Sequence, residues 1–308
     1  MRVTMIVNPR SGRGHSSRVA GQVAGTLRAA GWEVEIAVTT APEHAETLAR
    51  EAASDTDLVV ACGGDGTLSE VLNGLFGTDV PAALLPVGTG NDFARTLGLP
   101  RDPGEAAFAL LRGAERRVDL LQVVETGRVA INVMGVGFDA TVAATMNRHT
   151  RRGGLGAYLL AVLIELGRYR MTDLSLQIDG EQWAGPALLI AVANAQSYGA
   201  GMRIAPRASV TDGLLDVVLV EPMNRLGFLC TLPKVFTGRH VNHPAVRYWQ
   251  AREVTLRTSE PVPVLIDGDL RGETPVTIRV LPQAARLWLP DQTSPPRSAG
   301  VSPAVRGA

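Results

Sequence analysis

"LVVACGGDGTLSEVLNGL", Leu58 to Leu75, joins an apolar, β-prone run to a cluster of glycines, and a helical pattern opens directly behind them. A strand that ends in glycines before a helix presents free backbone N–H groups and the positive end of the helix dipole to an anion. Gly63, Gly64 and Gly66 permit close approach of a bulky ligand to the backbone. Thr67 to Glu70 has the pattern of a capping box, which predicts Thr67 as N-cap with Glu70 reaching back. The stretch lacks the Lys of a Walker A loop and only approaches the dinucleotide fingerprint, as Gly64-x-Gly66-x-x-Ser69. Asp65 then needs a reason, because a carboxylate beside polyphosphate is repulsive unless a cation and its water intervene. Mg²⁺ with a nucleotide satisfies both demands.

Working outward, β-branched runs alternate with helical segments: Val3 to Val7, a helix from about Ser16, Val34 to Val38, a helix from about Glu43, Leu58 to Ala61, a helix from Thr67, Ala83 to Val87 and a short helix from Asp92. That alternation predicts a doubly wound parallel sheet. "NPRSGRG" from Asn8, "GGDGTLS" and "GTGND" each follow a strand, so all three fall at the carboxyl edge, where open α/β sheets bind ligands. Beyond about Gly127 the pattern becomes that of short strands, with Asp179-Gly180 as a hairpin turn, and predicts a mostly β second domain. The expected division is therefore 1–127, an α/β nucleotide-binding domain, 128–290, a β-rich sandwich-like domain, and 291–308, a Pro/Ser/Gly-rich disordered tail.

Composition narrows the classes of function. Thirty Lys and Arg balance thirty Asp and Glu, which argues against a nucleic-acid partner. Cys62 and Cys230 stand far apart with no CxxC, so neither a disulfide framework nor a zinc knuckle is expected, and a cytoplasmic setting follows. The apolar start is too short for a signal peptide. The run from Ala157, broken by Glu165, falls short of the ~20 residues that cross a bilayer.

At this point the motifs carry a resemblance. "GGDGTLSEVLNGL" with "LLPVGTGNDFAR" resembles the diacylglycerol kinase catalytic-domain family, in particular its bacterial soluble lipid kinases, related to sphingosine and ceramide kinases. "NPRSG", "INVMGVGFDA", "VANAQSYGAGMRIAP", "ASVTDGLLDVVLV" and "GRHVNHPAV" look like family segments in family order. GGDG alone is shared with NAD kinases and is similar to the phosphofructokinase loop, whereas GTGNDFAR separates the lipid kinases. The resemblance implies ATP contacts at Asn8, Pro9, Arg10, Ser11, Gly12, Thr39, Gly63, Gly64, Asp65, Gly66, Thr67, Leu68, Ser69 and Thr89, with Asp65 and Asp92 ordering Mg²⁺ through water. It also implies a structural Mg²⁺ site at Asp212 with carbonyls of Ser209 and Leu214; from the residues alone, Asp212-Gly213 reads as a turn. The family's base is a glutamate after an Asp-Gly pair; here that position is Asp269, with Glu273 as the alternative carboxylate in the same loop.

The implied reaction is ATP- and Mg-dependent transfer to a diacylglycerol-like alcohol, which requires contact with a lipid at a membrane surface. "RHTRRGGLGAYLLAVLIELGRYR", an apolar helix flanked by arginines, suits such contact or simple core packing. Location at the inner face of the membrane is the corresponding expectation, and a homodimer is compatible with the sequence. Rival readings are a kinase of NAD or a sphingoid base, and a catalytically silent nucleotide- or lipid-binding regulator, the last motivated by aspartate standing where glutamate is expected.

Overall fold

The computed structural model describes residues 1–149, 155–168 and 171–291. The first half follows the alternation closely: β1 (Arg2–Val7), α1 (Ser16–Ala29), β2 (Glu33–Val38), α2 (His44–Ala52), β3 (Leu58–Gly63), α3 (Asp65–Leu75), β4 (Ala82–Pro86), α4 (Asp92–Thr96) and α5 (Pro103–Leu111). The strands pair in the order β2-β1-β3-β4, all parallel. Every residue of β3 and β4 is buried, as expected for parallel strands covered on both faces. Helices α1 and α5 cover one face, where Ala20, Val23 and Leu27 meet Ala106 and Leu110; α2 and α3 cover the other through Ala45, Ala49, Leu68 and Val71.

The chain leaves β1 toward β2 on one side and reaches β3 on the other, which makes the β1–β3 boundary a topological switch point. The loops after these two strands diverge there and leave a crevice.

The remaining elements are β5 (Gly113–Val123), β6 (Val129–Ala130), β7 (Val133–Gly137), α6 (Phe138–His149), α7 (Leu155–Arg168), β8 (Thr172–Ile178), β9 (Glu181–Ala187), β10 (Leu189–Ala193), β11 (Leu215–Val220), α8 (Arg225–Val235), β12 (Val246–Ala251), β13 (Glu253–Thr258), β14 (Pro263–Ile266), β15 (Asp269–Glu273) and β16 (Val276–Pro290). An antiparallel sheet, β12-β11-β10-β7-β14-β15, faces strands β16, β13 and β8 across a shared core containing Leu121, Met134, Leu176, Val217 and Ile278. This is the sandwich-like second unit. Truncating one such side chain to Ala would cost about 2–5 kcal/mol.

Hydrogen bonding does not stop at the 127/128 division. β16 pairs in parallel with β4 through Leu287 and Ala82, and antiparallel with β5 and β13, so the last strand stitches the second unit into the first sheet. Trp288 reinforces the return, its indole N–H donating to the Leu110 carbonyl at 2.8 Å. The tail expectation for 292–308, and Arg151, Arg152 and Arg170 of the arginine-flanked segment, lie outside the described residues.

Candidate active site

The three glycine loops pack on one another. A Cβ on Gly88 would lie 2.5 Å from the Gly64 Cα, and one on Gly12, at φ +60, would lie 2.4 Å from the Val87 carbonyl oxygen. Glycine at these two positions lets the "GTGND" backbone touch the GGDG and "NPRSG" loops. Gly66 has open space where its Cβ would be, so that face is free for a ligand. A cleft of about 730 Å³ opens above the loops. Asn8, Pro9, Arg10, Ser11, Gly12, Thr39, Gly64, Gly66, Thr67, Thr89 and Asp269 line it, joined by Thr40, Ala41, Pro42, Ala45, Glu70 and Gly88, none of which was expected as a cofactor contact.

The capping-box expectation is corrected. α3 begins two residues earlier, at Asp65, with Gly64 as its N-cap and no side-chain cap. Thr67 is buried, and its hydroxyl accepts from the Asn8 amide at 3.3 Å, tying the β1 and β3 loops together. Glu70 accepts the Ala45 N–H at 3.1 Å instead of reaching back. Because the first α-helical bond runs from the Leu68 N–H to the Gly64 carbonyl, the N–H groups of Asp65, Gly66 and Thr67 begin the helix without intrahelical partners. Gly66 and Thr67 bring that end of the helix to the cleft.

Asp65 is explained by the fold itself. Its two carboxylate oxygens accept the N–H groups of Asp92 and Phe93, each at 2.9 Å, and so cap α4. Asp92 in turn accepts from Arg95 at 2.6 Å and from the Ala200 N–H at 2.8 Å. Burial pushes the Asp92 carboxyl above its ordinary value, with the Ala200 N–H opposing and the Asp65 charge adding to the rise. Neither carboxylate lines the cleft, and direct ligation of an ion would compete with these donors. Gly63 sits beneath the Thr67 side chain, Leu68 is core, and Ser69 hydrogen-bonds Asp267.

The base candidate sits on a hairpin. Asp267 and Gly268, at φ +48 and +96, form a two-residue turn between Ile266 and Asp269. The Asp267 carboxylate accepts the N–H groups of Ile131 at 3.0 Å and Asn132 at 2.9 Å, which anchors the turn. Burial raises its carboxyl, against those N–H groups and the Ser69 hydroxyl. Asp269 is exposed and lines the cleft opposite the loops of the first sheet. Glu273 pairs with Pro263 at the far end of β15 and does not line the cleft. Asp269 is the carboxylate of this hairpin that reaches the site.

At the proposed metal position, Asp212 accepts the Leu214 N–H at 3.1 Å, as in a turn, and the Ser209 hydroxyl meets that of Thr211 at 3.3 Å. Asp216 stands close enough for the Asp212 charge to raise its carboxyl, although burial is the larger cause, and the buried Asp216 Oδ2 has no hydrogen-bond partner. An all-oxygen donor set beside an unsatisfied carboxylate oxygen fits a hard divalent cation. No group of three or more His, Cys, Asp or Glu suited to a metal occurs among the described residues.

The second unit has an apolar side. Phe138, Leu189, Met202, Ile204, Phe228 and Leu232 line a small cavity that also contains Asp139 and Tyr198. Burial pushes the Asp139 carboxyl up to about 7, opposed by the Ala140 N–H and the Tyr198 hydroxyl. Above the cavity, α7 and α8 share the cluster of Val162 with Phe228, and the Arg225 guanidinium donates to the Gly167 carbonyl at 3.0 Å. Their outer faces expose Leu160, Leu163, Ile164, Leu226 and Leu229, with Leu226 at 71%. No helix among the described residues is long and apolar enough to cross a membrane.

A parallel sheet with anion-ready loops at its switch point, roofed by a β unit that brings a carboxylate, is a two-unit fold whose cleft suits a phosphate-bearing ligand. Residues 2–123 match the diacylglycerol kinase catalytic domain, and residues 132–289 match the YegS C-terminal NAD kinase beta sandwich-like domain. The chain is 34% identical over 295 residues to a diacylglycerol kinase of Mycobacterium tuberculosis, covering 94% of this chain and 95% of that one. It is 35% identical over 280 residues to a diacylglycerol kinase of Bacillus subtilis, covering 89% and 91%. A crystal structure of a diacylglycerol kinase from Bacillus anthracis has the same fold, with a TM-score of 0.73 at 24% identity over 95% of this chain and 97% of that one. The chain belongs to the diacylglycerol kinase catalytic-domain family and is a lipid kinase by class.

Proposed function

We propose that the protein transfers the γ-phosphoryl group of ATP to the hydroxyl of a diacylglycerol-like lipid and releases phosphatidic acid and ADP. The observation that carries this reading is the cleft itself: unpartnered helix N–H groups at Gly66 and Thr67 on one wall, and the exposed carboxylate of Asp269 on the other. Phosphoryl transfer asks mainly for positioning and charge stabilisation. In this reading the Asn8–Gly12 and Gly64–Thr67 backbones hold the phosphates, and Thr39 to Pro42 form the wall beyond them. The acceptor oxygen forms its bond to the γ-phosphorus as the β–γ bridge breaks toward ADP, and Asp269 takes the hydroxyl proton, a contribution of ~10²–10⁴-fold.

Mg²⁺ bound with the phosphates would neutralise charge developing there, with Asp65 and Asp92 reaching it only through water because their oxygens already accept backbone and Arg95 donors. The Ser209, Asp212 and Leu214 position would hold a second, structural ion. The exposed apolar face of α7 and α8, with Arg168 and Arg225 exposed beside it, supports peripheral contact with an anionic bilayer from the cytoplasmic side. The 198–202 segment links this side to the cleft loops: Tyr198 and Met202 line the apolar cavity while the Ala200 N–H holds Asp92.

Labelled ATP and Mg²⁺ given with phosphatidylglycerol vesicles containing diacylglycerol, a sphingoid base or neither test the reading. Label in phosphatidic acid is the expected result. Label only in the sphingoid base or in added NAD would replace the acceptor, and nucleotide binding without transfer would support the silent regulator.

A further inference from the structure

The cleft is clasped at its rim by a side chain that the reaction scheme does not use. Arg271 lies two residues beyond Asp269 on β15, and successive side chains of a strand alternate, so the two share a face. One prong of its guanidinium lies 3.4 Å from Asp269 Oδ2, and the other donates to Glu43 Oε1 at 2.5 Å. Glu43 belongs to the first unit: it precedes α2 at φ +64, at the end of the wall segment Thr39 to Pro42. A non-glycine residue in the left-handed region is uncommon and is held there by its surroundings. The Arg271 side chain is only 23% exposed, although Glu43 and Asp269 are 58% and 60% exposed. Its hydrogen bond to Glu43 is the largest cause holding that carboxyl below its ordinary value, and the Arg128 charge adds to it.

The base thereby stands between two anchors in sequence, one in the turn before it and one on the strand after it. Asp267, two residues before it, fixes the turn to Ile131 and Asn132 in the interior. Arg271, two residues after it, fixes the strand to the nucleotide wall across the opening. Aspartate has one methylene less than glutamate to reach an acceptor hydroxyl, so its productive position depends on where the strand is held. A displacement of about 1 Å at a reacting group can cost ~10²-fold in rate.

We infer that Arg271, braced by Glu43 across the cleft, is a positioning residue that sets the reach of Asp269 for proton abstraction. This rests on the proposed assignment of Asp269 as base. Arg271 acts through the carboxylate and the wall it joins and does not itself line the cleft, so its loss falls on the chemical step more than on nucleotide binding.

The test is a kinetic cycle on the full chain with diacylglycerol-containing vesicles. Arg271→Gln lowers kcat by roughly 10–100-fold and leaves the KM for ATP within about threefold. Glu43→Gln lowers kcat less, and the double variant is no slower than Arg271→Gln alone, because Glu43 works only through Arg271. Arg271→Lys, which keeps the charge without the two-pronged fork, retains part of the rate. Thermal midpoints change little, since both carboxylates that Arg271 meets are more than half exposed and such ion pairs contribute little to stability. Unchanged kcat in Arg271→Gln, a loss that appears in the KM for ATP, or losses that multiply in the double variant would overturn the inference. Asp269→Asn, measured alongside, separates the two readings: full activity there removes the base, whereas an inactive Asp269→Asn with an unaffected Arg271→Gln removes only the positioning role.

Discussion

Two hairpins in this chain are written in the same local code and do different work. Asp179-Gly180 and Asp267-Gly268 both turn a strand in two residues at positive φ, and both aspartates spend their carboxylates on consecutive backbone N–H groups: Asp179 on Arg252 and Glu253, Asp267 on Ile131, Asn132 and, at 3.3 Å, Val133. The first hairpin lies at the edge of the large sheet, exposed, and is followed by Glu181. The second lies beside the GGDG loop, where Ser69 touches Asp267 and the next acid, Asp269, looks into the cleft. Turn chemistry decides that the chain reverses; which sheet edge it faces decides whether the acid after the turn lines the cleft.

The sharpest way to break that comparison is to remove the acids after the turns. Asp269→Asn should lower kcat by ~10²–10⁴-fold, while Glu181→Gln at the corresponding position of the other hairpin should leave it unchanged; steady-state transfer to vesicle lipid reads both. A smaller effect is expected from the acids within the turns. Asp267→Ala takes the acceptor from three backbone N–H groups in a part-buried setting and should cost about 2–4 kcal/mol, against about 1 kcal/mol for exposed Asp179→Ala, by denaturant unfolding. Gly88→Ala, whose methyl would press on the Gly64 backbone, should cost about 1–3 kcal/mol by the same measurement and weaken nucleotide binding.

The finest difference is in pH. The Asp267 carboxyl is raised in the folded state above its ordinary value of 3.8, so the folded chain binds that proton more tightly than the unfolded one. Its contribution is fully present below that ordinary value and is lost as pH rises through the raised one. The stability of the parent relative to Asp267→Asn should therefore decline as pH rises from about 4 through that interval. A difference that grows with pH would reverse the sign.

Much of the first unit was legible because glycines and β-branched runs act locally. β1 to β4 and their helices fall where the alternation puts them, and the three glycine loops meet at one edge. What escaped depends on distant partners. "GAERRVDLLQV", Gly113 to Val123, starts charged and exposed and becomes a strand only because β16 runs beside it. Asp65 looked like an acid awaiting an ion because its partners, the N–H groups of Asp92 and Phe93, lie more than twenty-five residues away. Thr67 and Glu70 matched a capping pattern, yet Asn8 and Ala45 claim them. Arg271 carried no sequence signal, since its meaning lies in Glu43, 228 positions earlier.

The central claim is that a nucleotide's phosphates rest on the start of α3, facing Asp269. A crystal structure of the Asp269→Asn chain soaked with Mg²⁺ and a non-hydrolysable ATP analogue tests it most directly. The account predicts triphosphate density between Asn8–Gly12 and Gly64–Thr67, with the γ-phosphoryl turned toward residue 269. Nucleotide bound elsewhere, with that cleft empty at saturating concentration, would contradict it.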